Sequence, residues 1–165
     1  MIAAIRLFVI ASSLAMIAGS AHAVNLPGPE LDYMQRMQGS WQRHCYRSVD
    51  GDTAIYRRDF LVVGFTEMQF STKVYLDGDC NHERTQYSAS YSYGLVGAYR
   101  TVGNKKIFPI NLVSSDRDAA FFKIPALNIS AISDGKLYFG RNYSGESDRS
   151  ERLSKLDTRN PFLRH

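Results

Sequence analysis

The sequence predicts an all-β fold, an antiparallel up-and-down barrel of about eight strands behind one short helix, on three observations. Apolar and polar residues alternate with period two through long segments, and turn pairs built on Asp and Gly recur between those segments. Prolines are few, five in 165 residues, whereas tyrosines and phenylalanines number ten and nine. Period-two alternation is what a strand with one buried and one wet face requires. Asp followed by Gly is a strong hairpin signal, and closing the sheet removes the bare edges an open one would leave.

The elements follow in chain order. Residues 1–23 carry one early cation, Arg6, then an apolar run from Leu7 to Ala18, and end on Ala21, His22 and Ala23. That is the pattern of a secretory signal peptide. The run falls short of the roughly 20 apolar residues a membrane span needs. The expectation is therefore cleavage, a secreted, periplasmic location and no membrane span afterwards; a retained anchor is the alternative. Residues 24–30, VNLPGPE, are too rich in Pro and Gly for a regular element and form a lead-in. In LDYMQRMQG, Leu31, Met34 and Met37 sit near helical spacing and Gly39 follows, as in a short helix with a glycine cap.

Strands occupy most of what remains. In RTQYSASYSY, Thr85, Tyr87, Ala89, Tyr91 and Tyr93 share one face while Arg84, Gln86, Ser88, Ser90 and Ser92 share the other. FTEMQFSTKVYL places Met68, Phe70, Val74 and Leu76 opposite Glu67, Gln69, Ser71 and Lys73. Turn signals then delimit strands near 41–49, 54–63, 65–76, 84–93, 97–102, 106–113, 119–132 with a break, and 136–143. The barrel is assigned to 31–145. Pro109 in KIFPINLV lacks a ladder donor and calls for an edge, a bulge or a rim. Residues 146–165 are a polar tail, read as a surface strap with Phe162 docking back on the barrel.

The chemistry-bearing residues are few. Cys45 and Cys80 both follow the cleavage point, and in an oxidising compartment such a pair defaults to a disulfide. On the chain-entropy model its loop stabilises by about 3–4 kcal/mol. A zinc site with His44 and His82 fits poorly, because the neighbours His44 and Cys45 point to opposite faces of a strand. In DGDCN, Asp77 and Asp79 read as a capped hairpin turn; the alternative, a calcium loop, would need further ligands. Asn128 and Asn142 open NxS sequons. The net charge is +4, one unit of it from Arg6, without a long basic run. Arg57 with Arg58 and Lys105 with Lys106 read as solvated strand faces or turns, so nucleic acid is not an expected partner. Neither GxSxG nor HExxH occurs, and the expectation is a non-catalytic protein without metal or cofactor.

Tyr87, Tyr91 and Tyr93, with Met68 and Phe70 opposite, are the candidate lining for a small apolar or amphipathic ligand. A buried phenol must find a hydrogen-bond partner, which suits such a ligand or a wet cavity. The same residues serve equally as plain core, since an eight-stranded barrel is just wide enough to fill itself or hold one small molecule. The rival expectation is a filled barrel that binds an envelope protein or inhibits a hydrolase through its loops or tail.

Two motifs taken together carry a resemblance. Gly39 and Trp41 in GSWQRHC open the first strand, and Tyr75, Asp77 and Cys80 make YxDxxC after the third. This combination resembles small secreted lipocalin-like proteins of bacteria. It is also similar to the domain of the animal Wnt-inhibitor family called adenomatosis polyposis coli down-regulated. The likeness spans about 39–80, with weaker support from DGKLYFG. It implies a lipocalin-like barrel in which Trp41 closes the floor beneath an arginine from a late strand, Arg141 being the candidate, and an acyl or lipid ligand by analogy. The animal proteins' inhibition of a lipidated signal is not carried over to this single short domain.

Overall fold

A computed structural model describes residues 28–50, 53–140 and 151–165. The signal-peptide assignment, Asn142 and Arg141 lie outside the described residues. Helix α1 (Gly28–Met37) is followed by β1 (Gly39–Gln42), β2 (Tyr46–Asp50), β3 (Thr53–Val63), β4 (Glu67–Tyr75), β5 (Glu83–Leu95), β6 (Arg100–Val102) and β7 (Lys105–Val113). A four-residue helix α2 (Ala119–Phe122) precedes β8 (Leu127–Ser133), β9 (Lys136–Phe139) and β10 (Phe162–Arg164). β1 pairs with β3 on one side and β10 on the other, closing an antiparallel ring β1-β3-β4-β5-β7-β8-β9-β10. The predicted eight-stranded barrel is therefore the fold observed.

Several boundaries move, each for a local reason. Helix α1 begins at Gly28, inside the expected lead-in, because Pro29 in the first turn loses no intrahelical donor there. The expected strand 41–49 is two strands, β1 and β2, with residues 43–45 irregular between them. Residues 97–102 contribute only the three-residue β6, a spur on β7 outside the ring. The segment expected as a strand from 119 starts instead as α2. Leu76 is 67% exposed rather than inward, because a bulge between Val74 and Tyr75 shifts the register and turns Tyr75 into the core in its place. Pro109 sits between the β7 residues that pair with β5, from Ile110 on, and with β6, up to Ile107, where one flank has no ladder to interrupt.

The tail supplies the closing stave. Phe162 is buried, and β10 lies between β9 and β1. Upstream of it Leu153 covers Ile107, Ile129 and Ala131 on the outer face of β7 and β8. Arg152 fixes that strap by donating to the carbonyls of Ile110 and Asn128 at 2.8 and 2.7 Å. Asn128 is buried, its Oδ1 accepting from the N–H of Ile129 and Gly140, so the sequon it opens is closed to a glycan in the folded state.

Cross-strand partners share a face, so the register of β3, β4 and β5 reads as layers stacked along the barrel axis. Val63, Met68 and Tyr91 form one layer; Leu61, Phe70 and Ala89 the next; Asp59, Thr72 and Tyr87 the third; Arg57, Val74 and Thr85 the fourth. The interior thus changes from apolar to charged over a single step.

Candidate functional site

The apolar end is a floor. Trp41 is 2% exposed, and its Nε1 donates to the carbonyl of Met37 at 2.8 Å. That carbonyl is one of those the C-terminus of α1 leaves without a helical partner. Gly39, at φ +119°, makes the reversal from α1 into β1 that a side chain would strain. A guanidinium does cap the indole, but it belongs to Arg164 of β10, 4.5 Å from the ring centre, which also donates to the carbonyl of Arg36 at 2.7 Å. A late arginine thus does cover the Trp41 ring, and its position in sequence is 164.

The five residues expected to line a ligand divide between core and cavity. Met68, Tyr91 and Tyr93 belong to the packed core with Trp41, Met37 and Leu61. Tyr91 donates to the carbonyl of Ala119 at 3.2 Å and Tyr93 to that of Gly64 at 2.8 Å. Burial pushes both phenols up to about 12. Their hydrogen-bond needs are met by backbone, so they call for no ligand. Tyr87 stacks on Phe121 of α2 with ring centres 3.9 Å apart. Phe70 alone of the five reaches the main cavity.

That cavity, about 290 Å³, lies at the end of the barrel away from Trp41. It exists because β5 pairs with β7 only through Ser92–Leu95, leaving the first residues of β5 without a strand on that flank. Helix α2 and its flanking loops cover the gap, held by the Ser90 N–H donating to Asp116 at 2.6 Å and by the Tyr87 stack. Phe70, Phe122, Phe139 and Phe162 line the cavity. Arg43, Tyr46, Arg57, Asp59 and Thr72 line it as well.

The polar wall is organised around Asp59. Its Oδ1 accepts from Thr72 at 2.6 Å, and its Oδ2 from the Tyr46 hydroxyl at 2.9 Å and Arg43 Nη1 at 3.1 Å. Burial, and then the Asp59 carboxylate beside it, pushes the Tyr46 phenol well above its ordinary range. Arg43 lies over the Phe162 ring at 4.3 Å and Arg57 over Phe121 at 5.1 Å. The Nε atoms of both arginines are buried without an acceptor among the described residues.

The Cys45–Cys80 disulfide is present, with Cα atoms 5.9 Å apart and a 35-residue separation. It pins the irregular stretch between Arg43 and Tyr46 to the turn after β4. In that turn the Asp77 carboxylate accepts from the N–H groups of Asp79, Asn81 and His82, at 3.1, 3.1 and 2.7 Å. The Asn81 N–H above all, with the His82 N–H and imidazole, holds the carboxyl down at about 2.

The wall residues Arg43, Tyr46, Arg57 and Asp59 were not singled out by sequence reasoning, which placed Arg57 with Arg58 on a solvated face. A signal was there. Leu61 and Val63 set the inward phase of β3, and two steps back in the same phase lie Asp59 and Arg57. The other phase, with Phe60 and Val62, is apolar enough to mask it. Comparison of the chain with protein-family models, curated proteins and solved structures finds no match. The functional reading therefore rests on this geometry.

Proposed function

We propose that this chain is an exported, non-catalytic carrier or sensor that binds a small amphipathic molecule in the mouth of its barrel. The observation that carries the reading is the mouth cavity itself, lined both by phenylalanines and by the Arg43, Asp59 and Tyr46 cluster. Small-molecule sites combine apolar and aromatic side chains with placed polar groups; this one has both, with more polar than apolar surface exposed. At about 290 Å³ it falls just below the usual range of roughly 300–1,000 Å³, which favours one ring or a short chain over a long acyl group. The lipocalin-like resemblance supports the same reading with a ligand smaller than a full lipid. The disulfide, together with the leader pattern of residues 1–23, supports export into an oxidising compartment.

The test is an NMR titration of isotope-labelled protein with octanol, octanoate and octylamine, after mass analysis of any small molecule retained through purification. Shifts are expected at residues around Phe70, Phe122 and Phe139, with the Trp41 end unmoved. A mouth that no member of the panel shifts, in protein that retained no small molecule, overturns the reading. A rival role, as a filled barrel that binds proteins through its loops, draws support from the packed half around Met68 and Tyr93. It leaves the phenylalanine-lined cavity without a use.

A further inference from the structure

We infer that the polar end of the ligand is a single carboxylate, gripped by Arg43 and Arg57. The inference rests on the mouth being a ligand site and adds what that site selects.

Charged groups facing a barrel interior are costly unless each is compensated. Asp59 is compensated fully: three donors reach its two oxygens, and one of them, Arg43, supplies the opposite charge. Arg57 projects from the same face of β3 two residues earlier, opposite Tyr46 of β2 and over the Phe121 ring at 5.1 Å. Among the described residues that line the cavity, Arg43, Arg57 and Lys123 stand against Asp59 and Asp157, so these residues carry one positive charge in excess. A monoanion balances that excess. A dianion would leave a new charge uncompensated, and a neutral head would leave the old one.

The open hydrogen-bond positions point the same way. The Nε–H groups of Arg43 and Arg57 are buried without an acceptor among the described residues. Nε supplies half of the two-point edge with which a planar guanidinium meets a planar carboxylate. Phe162 and Phe121 lie beneath these guanidinium groups at 4.3 and 5.1 Å, and both arginines line the cavity. Phe70, Phe122 and Phe139 then receive the apolar remainder.

Isothermal titration calorimetry of the whole chain with octanoate, octanol and octyl phosphate decides the matter. Octanoate should bind about tenfold or more tighter than octanol, the scale of a hydrogen bond to a charged group. Arg57→Gln should abolish that preference. Arg58→Gln, one residue along on the opposite face, should keep it. A far-ultraviolet spectrum and the emission of Trp41 verify that each variant is folded, and the comparison of ligands on the unmodified chain needs no variant. Octanol binding as tightly as octanoate overturns the carboxylate and leaves the mouth as a ligand site. Octyl phosphate binding tighter than octanoate overturns it in favour of a phosphate. Failure of all three to bind overturns the mouth reading and this inference with it.

Discussion

At one end of the barrel Trp41 lies under Arg164 with its indole N–H on the carbonyl of Met37; at the other, Arg43 lies over Phe162 while its Nη1 reaches Asp59. The ingredients match, an arginine over an aromatic ring and a polar bond to the neighbouring element. The surroundings differ. At the floor, the Trp41 and Arg164 donors are met by main chain and Met37, Leu61 and Val63 pack around them, while Tyr33 and Glu30 of α1 each bury one oxygen without a partner among the described residues. At the mouth, the polar atoms answer to one another around a void, and two Nε–H groups lack an acceptor among the described residues. One arrangement is packed into the core, and the other surrounds open space.

Substitutions at the two ends should therefore differ in size and in what they disturb. The largest effect is expected from Trp41→Ala, which removes a fully packed side chain at the floor and should cost about 3–5 kcal/mol in denaturant unfolding. A near-neutral result would sink the description of the floor. Asp59→Ala strips the mouth of its shared acceptor and leaves Arg43, Tyr46 and Thr72 facing a void. Because the Asp59 and Arg43 side chains are 15% and 18% exposed, water can enter, and the loss should be about 1–3 kcal/mol. A cost above that of Trp41→Ala, measured the same way, would reverse the division between the ends.

The smallest effect is a matter of pH at the turn beside the mouth. The Asp77 carboxyl is held at about 2 against an ordinary 3.8, so its ionised form is favoured by folding. The stability this contributes is present above about pH 4 and is lost as pH falls through about 2. Amide shifts of Asn81 and His82 should titrate with that low midpoint while the signals of Trp41 stay still. A midpoint at the ordinary carboxylate value would mean the turn is not capped as described.

How far each end was legible in the sequence follows from the same contrast. The floor announced itself, since a lone tryptophan after a glycine at a helix end has few other uses, and the alternation of β5 put Tyr91 and Tyr93 inward as found. The disulfide followed from cysteine count and leader. The arginine over Trp41 in the structure is Arg164, brought there by the pairing of β10 with β1, which no local pattern encodes; Arg141, the expected candidate, lies outside the described residues. The mouth was hidden for a related reason. Asp59 and Arg57 sit in the inward phase of a strand whose outward phase is nearly as apolar, and Tyr46 joins them only because the chain breaks at 43–45. Helix α2 was masked by the apolar run AAFF, which periodicity cannot assign in four residues.

The closing strand β10 has a consequence for the order in which the barrel can be made. Residues 162–164 supply the stave between β9 and β1 and the cation above Trp41. Until they have left the ribosome, the first strand and the ninth are bare template edges of the kind that invite pairing with other chains. The hairpins from β3 to β5 can form early, because their partners are close in sequence. Completion instead waits on one of the most distant contacts in the molecule, which makes for slow folding. Until residues 162–164 have paired, the barrel stays unsealed between β9 and β1.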